Sequence, residues 1–315
     1  MKVKIGLLGV LLAILTACEA TTSAASSSSS PLNASALKVP VLPTRTAPPT
    51  RTPLPTTAPA TTPAPTPLPT VAPLTSDGWR PIRSGVFIRE MSTGSISNTG
   101  RISLVKIDPA QVDFHVRYQP VEPLKVHEWY STTQALVVIN SSFFDNAHRA
   151  VGQLTSDGQS GGQAHTRMEG AFYLTGVGAA VWPLRGWVKP PGLQIVESVE
   201  SFPMLLLQGG LLNPDIPNDA RAARRTVVAV DRSGNLVFIV TRSNSFTLHG
   251  LAVWLANSDL DLDTALNFDG GSSSGLAVWT PTGAWGFDSL GRVPAVVTVD
   301  VKVLGTIGPG GGEWP

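Results

Sequence analysis

The chain is divided into two parts of very different composition, and this division most constrains what can fold. Residues 19–75 are nearly all Ser, Thr, Ala and Pro, and their only charged side chains are Glu19, Lys38, Arg45 and Arg51. A segment of this kind buries too little apolar surface to offset the entropy lost on ordering. We therefore expect residues 18–75 to be a disordered, polyproline-like linker and residues 76–315 to form one folded domain.

The first 17 residues have the layout of an export signal. Lys2 and Lys4 precede an apolar run, residues 5–15, that is shorter than the about 20 apolar residues of a transmembrane helix. The run ends at Leu15-Thr16-Ala17-Cys18, which is similar to the bacterial lipobox. We predict that residues 1–17 are a lipoprotein signal peptide and that a lipid on Cys18 anchors an exported domain to the bacterial membrane. The alternative is an ordinary secretory signal that contains a cysteine.

Charge and cysteine content exclude several classes of protein. The net charge is +1, from 23 Lys and Arg against 22 Asp and Glu. No basic run stands out, so a nucleic-acid partner is not expected. A single cysteine excludes a disulfide framework and a zinc site built from cysteines. No cofactor is expected, and a bound divalent cation remains an open alternative.

From Trp79 onward, short β-branched and aromatic runs alternate with Gly, Pro, Asn and Asp, which favours a sheet-rich domain. Two segments are predicted to be helical, 125–134 and 247–257, with Thr247 as the N-cap of the second. This helix is expected to be a crossover that makes the strands on either side parallel neighbours. The predicted class is α+β, with a large mixed sheet and few helices. The predicted strands are 85–90, 101–108, 112–119, 135–140, 170–175, 193–199, 225–230, 236–241, 265–268, 275–279 and 294–304.

Three apolar strands run abruptly into small and polar residues, at 137–145, 223–230 and 265–275. Strand ends of this kind bring side chains and backbone donors to a surface cleft. We predict that one cleft collects the polar residues of the three segments, namely Asn140, Asp145, Arg225, Asn267 and Asp269.

In chain order, these segments resemble the phosphodiester glycosidase family. The family pattern Ile-Asn-Gly-Gly-Phe-Phe corresponds to residues 139–144, Arg-Thr-Ala-Ile-Gly to 225–229, and Asn-Leu-Asp-Gly-Gly-Gly-Ser to 267–273. With weaker matches between them, the resemblance covers nearly all of residues 79–304. Ser141 and Ser142 replace the glycine pair of the family and would be strained if that loop needed a positive φ. Ser272 stands where many members have a third glycine.

The resemblance implies hydrolysis of a sugar-1-phosphodiester at the anomeric carbon, on cell-surface or extracellular glycoconjugates. The departing phosphomonoester is a stable anion, so the site needs a cation near the phosphate and a carboxylate near the forming oxocarbenium ion. Arg225 suits the first role and Asp269 the second, with Asp145 as the other carboxylate. The predicted substrate-binding residues are Asn140 and Asn267 for the sugar, Gly270 and Gly271 for the phosphate, and Thr226 and Ser272.

Three alternatives remain. Residues 271–275 fit the Gly-x-Ser-x-Gly pattern of serine hydrolases, but all five histidines precede Ser273, whereas that fold places its histidine after the serine. Residues 259–263 resemble the start of a calcium loop, but Thr264 and Gly270 replace its glycine and glutamate, and the alternation favours a solvated strand face. The domain could also be a non-catalytic cell-wall or glycan binder whose Trp279 and Trp285 stack on sugars.

Overall fold

The computed structural model describes residues 78–92, 100–176, 178–186, 188–216, 218 and 220–302. The predicted signal peptide, the lipidated Cys18 and the linker lie outside the described residues. Within them the chain forms helices α1 (Val126–Thr133) and α2 (Leu248–Ala256) and a short 3₁₀ helix, Gly271–Ser273. The first strands are β1 Arg80–Arg83, β2 Val86–Ser92, β3 Arg101–Ile107, β4 Val112–Tyr118, β5 Val137–Asn140, β6 Phe143–Phe144, β7 Ala150–Ser156, β8 Gln159–Gln163, β9 Gly170–Thr175 and β10 Gly178–Pro183. The others are β11 Ile195–Ser201, β12 Met204–Leu207, β13 Leu211–Leu212, β14 Thr226–Asp231, β15 Leu236–Thr241, β16 Leu262–Phe268, β17 Leu276–Thr280, β18 Gly283–Phe287 and β19 Ala295–Val301.

The described strands form three sheets. The largest has eight strands in the order β1-β2-β3-β15-β14-β16-β12-β13. A second has the order β10-β9-β11-β7-β6, with β8 paired to β7, and a third has the order β18-β17-β5-β19-β4. One apolar core takes side chains from all three sheets, among them Phe238, Phe172 and Val297. A second cluster lies between the other face of the eight-stranded sheet and α2.

The strongest sequence patterns are confirmed. Each of the eleven predicted strands coincides with an observed strand, and both predicted helices are present. The Thr247 hydroxyl oxygen accepts a hydrogen bond from the Gly250 N–H at 2.9 Å, so Thr247 caps α2 as predicted. Strand β15 is apolar from Leu236 to Val240, and both of its faces are buried. Phe238 and Val240 lie in the three-sheet core, and Val237 and Ile239 pack against α2.

Two expectations about the sheet are wrong. The largest sheet is not mixed, since every pairing between its described strands is antiparallel. Strands β15 and β16 run parallel and are joined through α2, but they are not neighbours. Strand β14 lies between them and pairs antiparallel with both. The crossover therefore spans two strand spacings and leaves room for β14, which directly follows Arg224 and Arg225 in the chain.

Candidate active site

The side chain of Asn140 links the sheets that meet at the site. Asn140 ends β5 and is only 1% exposed. Its Oδ1 accepts hydrogen bonds from the Thr226 hydroxyl at 2.9 Å and the Gly275 N–H at 3.1 Å. Its Nδ2 donates to the Asp269 carbonyl at 2.7 Å. Asn140, predicted to orient the sugar, therefore lies behind the surface and positions the segment that carries Asp269.

Thr226, also predicted to contact substrate, belongs to the same buried network. It begins β14 and is fully buried. Besides its bond to Asn140, its hydroxyl lies 3.0 Å from the Ser274 hydroxyl. The first residue of β14 is thereby tied to β5 and to the segment after the 3₁₀ helix.

A tight turn follows β16 and explains the glycine pair. A Cβ on Gly270 would lie 2.7 Å from the Arg224 carbonyl oxygen, and Gly271 has a φ of +63°. The Gly271 N–H donates to the Arg224 carbonyl at 2.8 Å, and the Gly270 N–H donates to the Asp269 carboxyl group. The two amides predicted to approach the phosphate are therefore bound to protein groups here. Ser272 is exposed at the outside of the turn.

Asp269 carries the most perturbed carboxyl group of the site. Burial raises its pKa to about 6, although hydrogen bonds from the Ser273 hydroxyl and the Gly270 N–H favour the charged form. The residue still retains some exposure to solvent. A carboxyl group that titrates near neutral pH and meets solvent is suited to acid or base chemistry.

Arg225 directly precedes β14 and lies next to Asp269. Thr226 pairs with Phe268, and the same register continued by one residue places Arg225 opposite Asp269. The position of a Cβ on Gly270 is 3.8 Å from the Arg225 Cα, which shows how closely the two segments approach. The guanidinium donates to the Phe246 carbonyl at 3.1 Å and the Arg221 carbonyl at 2.9 Å. The structure thus brings the predicted cation and carboxylate to adjacent strand ends and orients the cation by loop carbonyls.

Arg224 is a buried residue that organises the turn, and the sequence analysis gave it no role. Its Nη2 donates to the Ser274 carbonyl at 2.7 Å and the Asp288 carbonyl at 3.0 Å, and its guanidinium lies 4.8 Å from the Phe287 ring centroid. Burial lowers its pKa. The signal for burial was available, because Arg224 shares the strand face of Thr226 and Val228.

The serine pair and Asn267 place buried polar atoms near Asp269. Neither Ser141 nor Ser142 has a positive φ, so neither is strained. Their hydroxyls and the Asn267 Oδ1 are buried without a hydrogen-bond partner among the described residues. The Asn267 Nδ2 donates to the Phe202 carbonyl at 2.9 Å, and the Ser141 carbonyl accepts the Asp269 N–H at 3.0 Å. Asn267, like Asn140, is thus held inside rather than at the surface.

Asp145 is engaged by its own turn. Its Oδ1 accepts hydrogen bonds from the N–H groups of Ala147 and Arg149 at 2.9 and 3.0 Å, and its Oδ2 accepts the Arg149 Nε–H at 2.9 Å. Hydrogen bonds from Arg149, first from its backbone and then from its side chain, hold the pKa of Asp145 below its usual range. Among the described residues, the contacts of Asp145 connect it to the β6–β7 turn and not to the network of Asn140 and Asp269.

The rival motifs are used differently. Ser273 lies in the 3₁₀ helix with its hydroxyl bonded to Asp269, which is not the exposed position of a catalytic serine. Asp259 pairs with Arg89, Asp261 with Arg232, and Asp263 accepts the Gly209 N–H.

Within the described ranges, no group of three or more His, Cys, Asp and Glu side chains is placed to hold a metal ion. None of the helices described here is long and apolar enough to cross a membrane.

The three antiparallel sheets, with Arg225 and the partly buried Asp269 at neighbouring strand ends, define a β-rich domain. The chain belongs to the phosphodiester glycosidase family, whose sequence model matches residues 133–299. Membership suggests a glycosidase-type hydrolase.

Individual relatives are distant. The zebrafish N-acetylglucosamine-1-phosphodiester alpha-N-acetylglucosaminidase catalytic domain, auto-inhibited by its pro-peptide, has a TM-score of 0.55 at 17% identity, covering 74% of this chain and 87% of that one. This likeness shows the fold. A hypothetical protein from Synechocystis has a TM-score of 0.49 at 16% identity, covering 70% and 62% of the two chains. The uncharacterized Escherichia coli protein YigE is 27% identical over 150 residues, 44% of this chain and 57% of that protein. The match thus spans little more than half of that relative.

Proposed function

We propose that the protein hydrolyses sugar-1-phosphodiesters at the anomeric carbon and releases a sugar and a phosphomonoester. The observation that carries this proposal is the partly exposed Asp269, with a pKa of about 6, at a strand end next to Arg225. The family to which the chain belongs and the zebrafish enzyme of similar fold both act, by their names, on phosphodiesters of sugars.

The proposed roles of Arg225 and Asp269 follow from the charges that develop during the reaction. Arg225 binds the phosphate oxygens and stabilises the departing phosphomonoester, because a planar guanidinium can hold two oxygens at once. Asp269, ionised at neutral pH, stabilises positive charge as it develops at the anomeric carbon. Asn140, Thr226 and Arg224 act indirectly by holding the turn after β16 in place.

The proposal also includes the other residues predicted to contact substrate, the absence of a cofactor and the lipid anchor. Ser272 is exposed beside the turn and can meet the substrate directly. Asp145 can do so only if its present hydrogen bonds are exchanged on binding, and Asn267 only if its buried side chain becomes accessible. We expect no resident cofactor. The lipobox-like Cys18 and the linker support an exported domain held on the bacterial membrane, where extracellular glycoconjugates are its substrates.

The test is incubation of the purified protein with a panel of sugar-1-phosphodiesters, with products followed by mass spectrometry. The proposal expects a free sugar and a phosphomonoester from at least one member, and no product when Asp269→Asn replaces the wild type. Tight binding of glycans by the wild type and by the Asp269→Asn variant, with no turnover by either, would favour the non-catalytic binder. Trp279, which is 36% exposed, would then be the residue that stacks on sugars.

A further inference from the structure

Arginines line the end of the eight-stranded sheet at the level of the Asp269 turn. The Arg242 N–H donates to the Arg101 carbonyl at 3.0 Å, the Thr241 N–H to the Arg225 carbonyl at 2.9 Å, and the Gly271 N–H to the Arg224 carbonyl at 2.8 Å. The ends of β3, β15, β14 and β16 therefore lie side by side, each about 4.8 Å from the next. Arg101, Arg242 and Arg224 form a row across these strand ends that finishes at Gly271.

The three side chains share one face of the sheet. Alternate residues of a strand point to the same side of the sheet. The side chain of Arg101 therefore points to the same side as Val105, that of Arg242 as Val240, and that of Arg224 as Val228. All three valines face the three-sheet core. Phe287 of β18 confirms this direction, since the guanidinium carbons of Arg242 and Arg224 lie 5.3 and 4.8 Å from its ring centroid. Arg225 points to the other side, toward Phe246. The row is therefore separate from the arginine of the proposed catalytic site.

A recess continues the row at the edge of the sheet. It has a volume of about 440 Å³ and is lined by Gly78, Arg80, Ile88, Arg89, Glu90 and Trp285. Arg80 pairs with Ile88 across β1 and β2, which places it on the same inner face as the row. Trp285 and Phe287 alternate on β18, so the recess and the row share one aromatic wall.

The charge along this surface is not balanced. Glu90 forms an ion pair with Arg101 at 3.5 Å, Asp288 lies near Arg224, and Arg89 is paired with Asp259 at 2.8 Å. The Arg242 guanidinium donates to the neutral Gly286 carbonyl, and neither Arg80 nor Arg242 has an ion pair within the part of the chain described. A row of cations beside aromatic rings, with surplus positive charge, suits a ligand that carries both sugars and repeated anions.

We propose that Arg80, Arg101 and Arg242, together with Trp285, form an accessory site that binds further phosphodiester units of a polymeric substrate. This inference rests on the proposed function, and it extends the substrate class from a single sugar-1-phosphodiester to a carbohydrate chain with several phosphates. One unit lies at Asp269, and the chain passes over the neighbouring strand ends to the arginine row and the recess.

The test measures binding apart from turnover. An end-labelled poly(glycerol phosphate) oligomer, which has no anomeric carbon to cleave, is titrated with the full chain in detergent and followed by fluorescence anisotropy. The double variant Arg80→Gln/Arg101→Gln is compared with Arg185→Gln, in which the altered side chain is 74% exposed and does not line the recess. We expect the double variant to weaken binding about tenfold and the control to leave it unchanged. Circular dichroism checks that all variants are folded.

A second readout ties the site to hydrolysis. The double variant is expected to raise KM for an oligomeric sugar-1-phosphodiester and to leave KM for a single-unit substrate unchanged. Equal affinity of wild type and double variant for poly(glycerol phosphate) overturns the proposal. It is also overturned if the double variant loses as much affinity for neutral dextran as for poly(glycerol phosphate). Absence of hydrolysis of any sugar-1-phosphodiester would defeat the proposed function, while the anisotropy result would still decide whether the accessory site exists.

Discussion

Asp269 is the residue on which the functional interpretation depends. It is separated from ordinary surface aspartates by its burial, which raises its pKa to about 6 against the opposing effect of two hydrogen bonds. The stabilising effect of those bonds is smaller than the cost of removing the charged carboxylate from water. The same property leads to one prediction about the pH dependence of the proposed activity and one about the stability of the domain.

The first prediction concerns the pH profile. If Asp269 acts as a carboxylate, activity requires its ionised form, so the rate is expected to fall as pH drops through about 6. The measurement is kcat/KM for a sugar-1-phosphodiester between pH 4 and 8. An acid limb centred near 4, the ordinary range of an exposed aspartate, would contradict this role for Asp269.

The second prediction concerns stability. A folded-state pKa above the unfolded value favours the protonated form, so this contribution to stability is present below about 4 and is lost as pH rises through about 6. Asp269→Asn removes the buried charge and is expected to raise the free energy of unfolding at pH 7.5 by up to about 3 kcal/mol. Urea unfolding at pH 7.5 and at pH 4 measures this, and a gain that is as large at pH 4 would count against the explanation.

At the scale of elements, the site is the meeting point of three strand ends and one turn. Strand β5 supplies Asn140, β14 begins at Thr226, and the turn after β16 folds back so that Gly271 bonds to Arg224. These elements belong to different sheets, and the amide of Asn140 is the buried link between them. The position of Asp269 therefore depends on side-chain hydrogen bonds as much as on strand pairing.

The third prediction tests this link. Asn140→Ala leaves the Gly275 N–H, the Thr226 hydroxyl and the Asp269 carbonyl without their buried partner. We expect a loss of about 2 to 4 kcal/mol in unfolding free energy and a fall in kcat larger than the change in KM. The matched control is Asn257→Ala at the exposed end of α2, where the expected loss is below about 1 kcal/mol. Equal effects of the two substitutions would show that Asn140 does not organise the site.

Much of the element content could be predicted, for a reason visible in particular strands. Strands β14 and β15 are rich in Val and Ile because both faces are buried, so their composition alone identifies them. Strands β8 and β18 could not be found in this way. Their sequences, Gln-Ser-Gly-Gly-Gln and Gly-Ala-Trp-Gly-Phe, each contain two glycines, which are depleted in strands, and they pair with β7 and β17.

The neighbouring positions of Asp269 and Arg225 could be predicted, but their surroundings could not. The three polar strand ends indicated where Asp269 and Arg225 lie, whereas the burial of Asn140 and Asn267 depends on which sheets meet there. The contacts of Asp145 had a local signal, since Arg149 four residues later is placed to bond it. The order of the strands in the sheet could not be predicted from local sequence patterns. Nothing in residues 236–268 indicates that the crossover skips one strand position.

At the scale of the whole molecule, we interpret the chain as a phosphodiester glycosidase domain carried on a lipid-anchored linker. The fourth prediction follows from Leu15-Thr16-Ala17-Cys18. Replacement Cys18→Ser is expected to release the protein from the membrane fraction and to remove the mass of the acyl chains, as seen by cell fractionation and intact-mass analysis. Unchanged membrane association and mass would leave an ordinary secretory signal as the interpretation.

The central claim is that the bond cleaved lies between the anomeric carbon and oxygen, not between phosphorus and oxygen. Hydrolysis of a sugar-1-phosphodiester in water enriched in oxygen-18 distinguishes the two, with products examined by mass spectrometry before the sugar exchanges its anomeric oxygen. Because water attacks carbon in a glycosidase, the label is expected in the free sugar and not in the phosphomonoester. Label in the phosphate would show a phosphodiesterase and would contradict the roles given to Asp269 and Arg225.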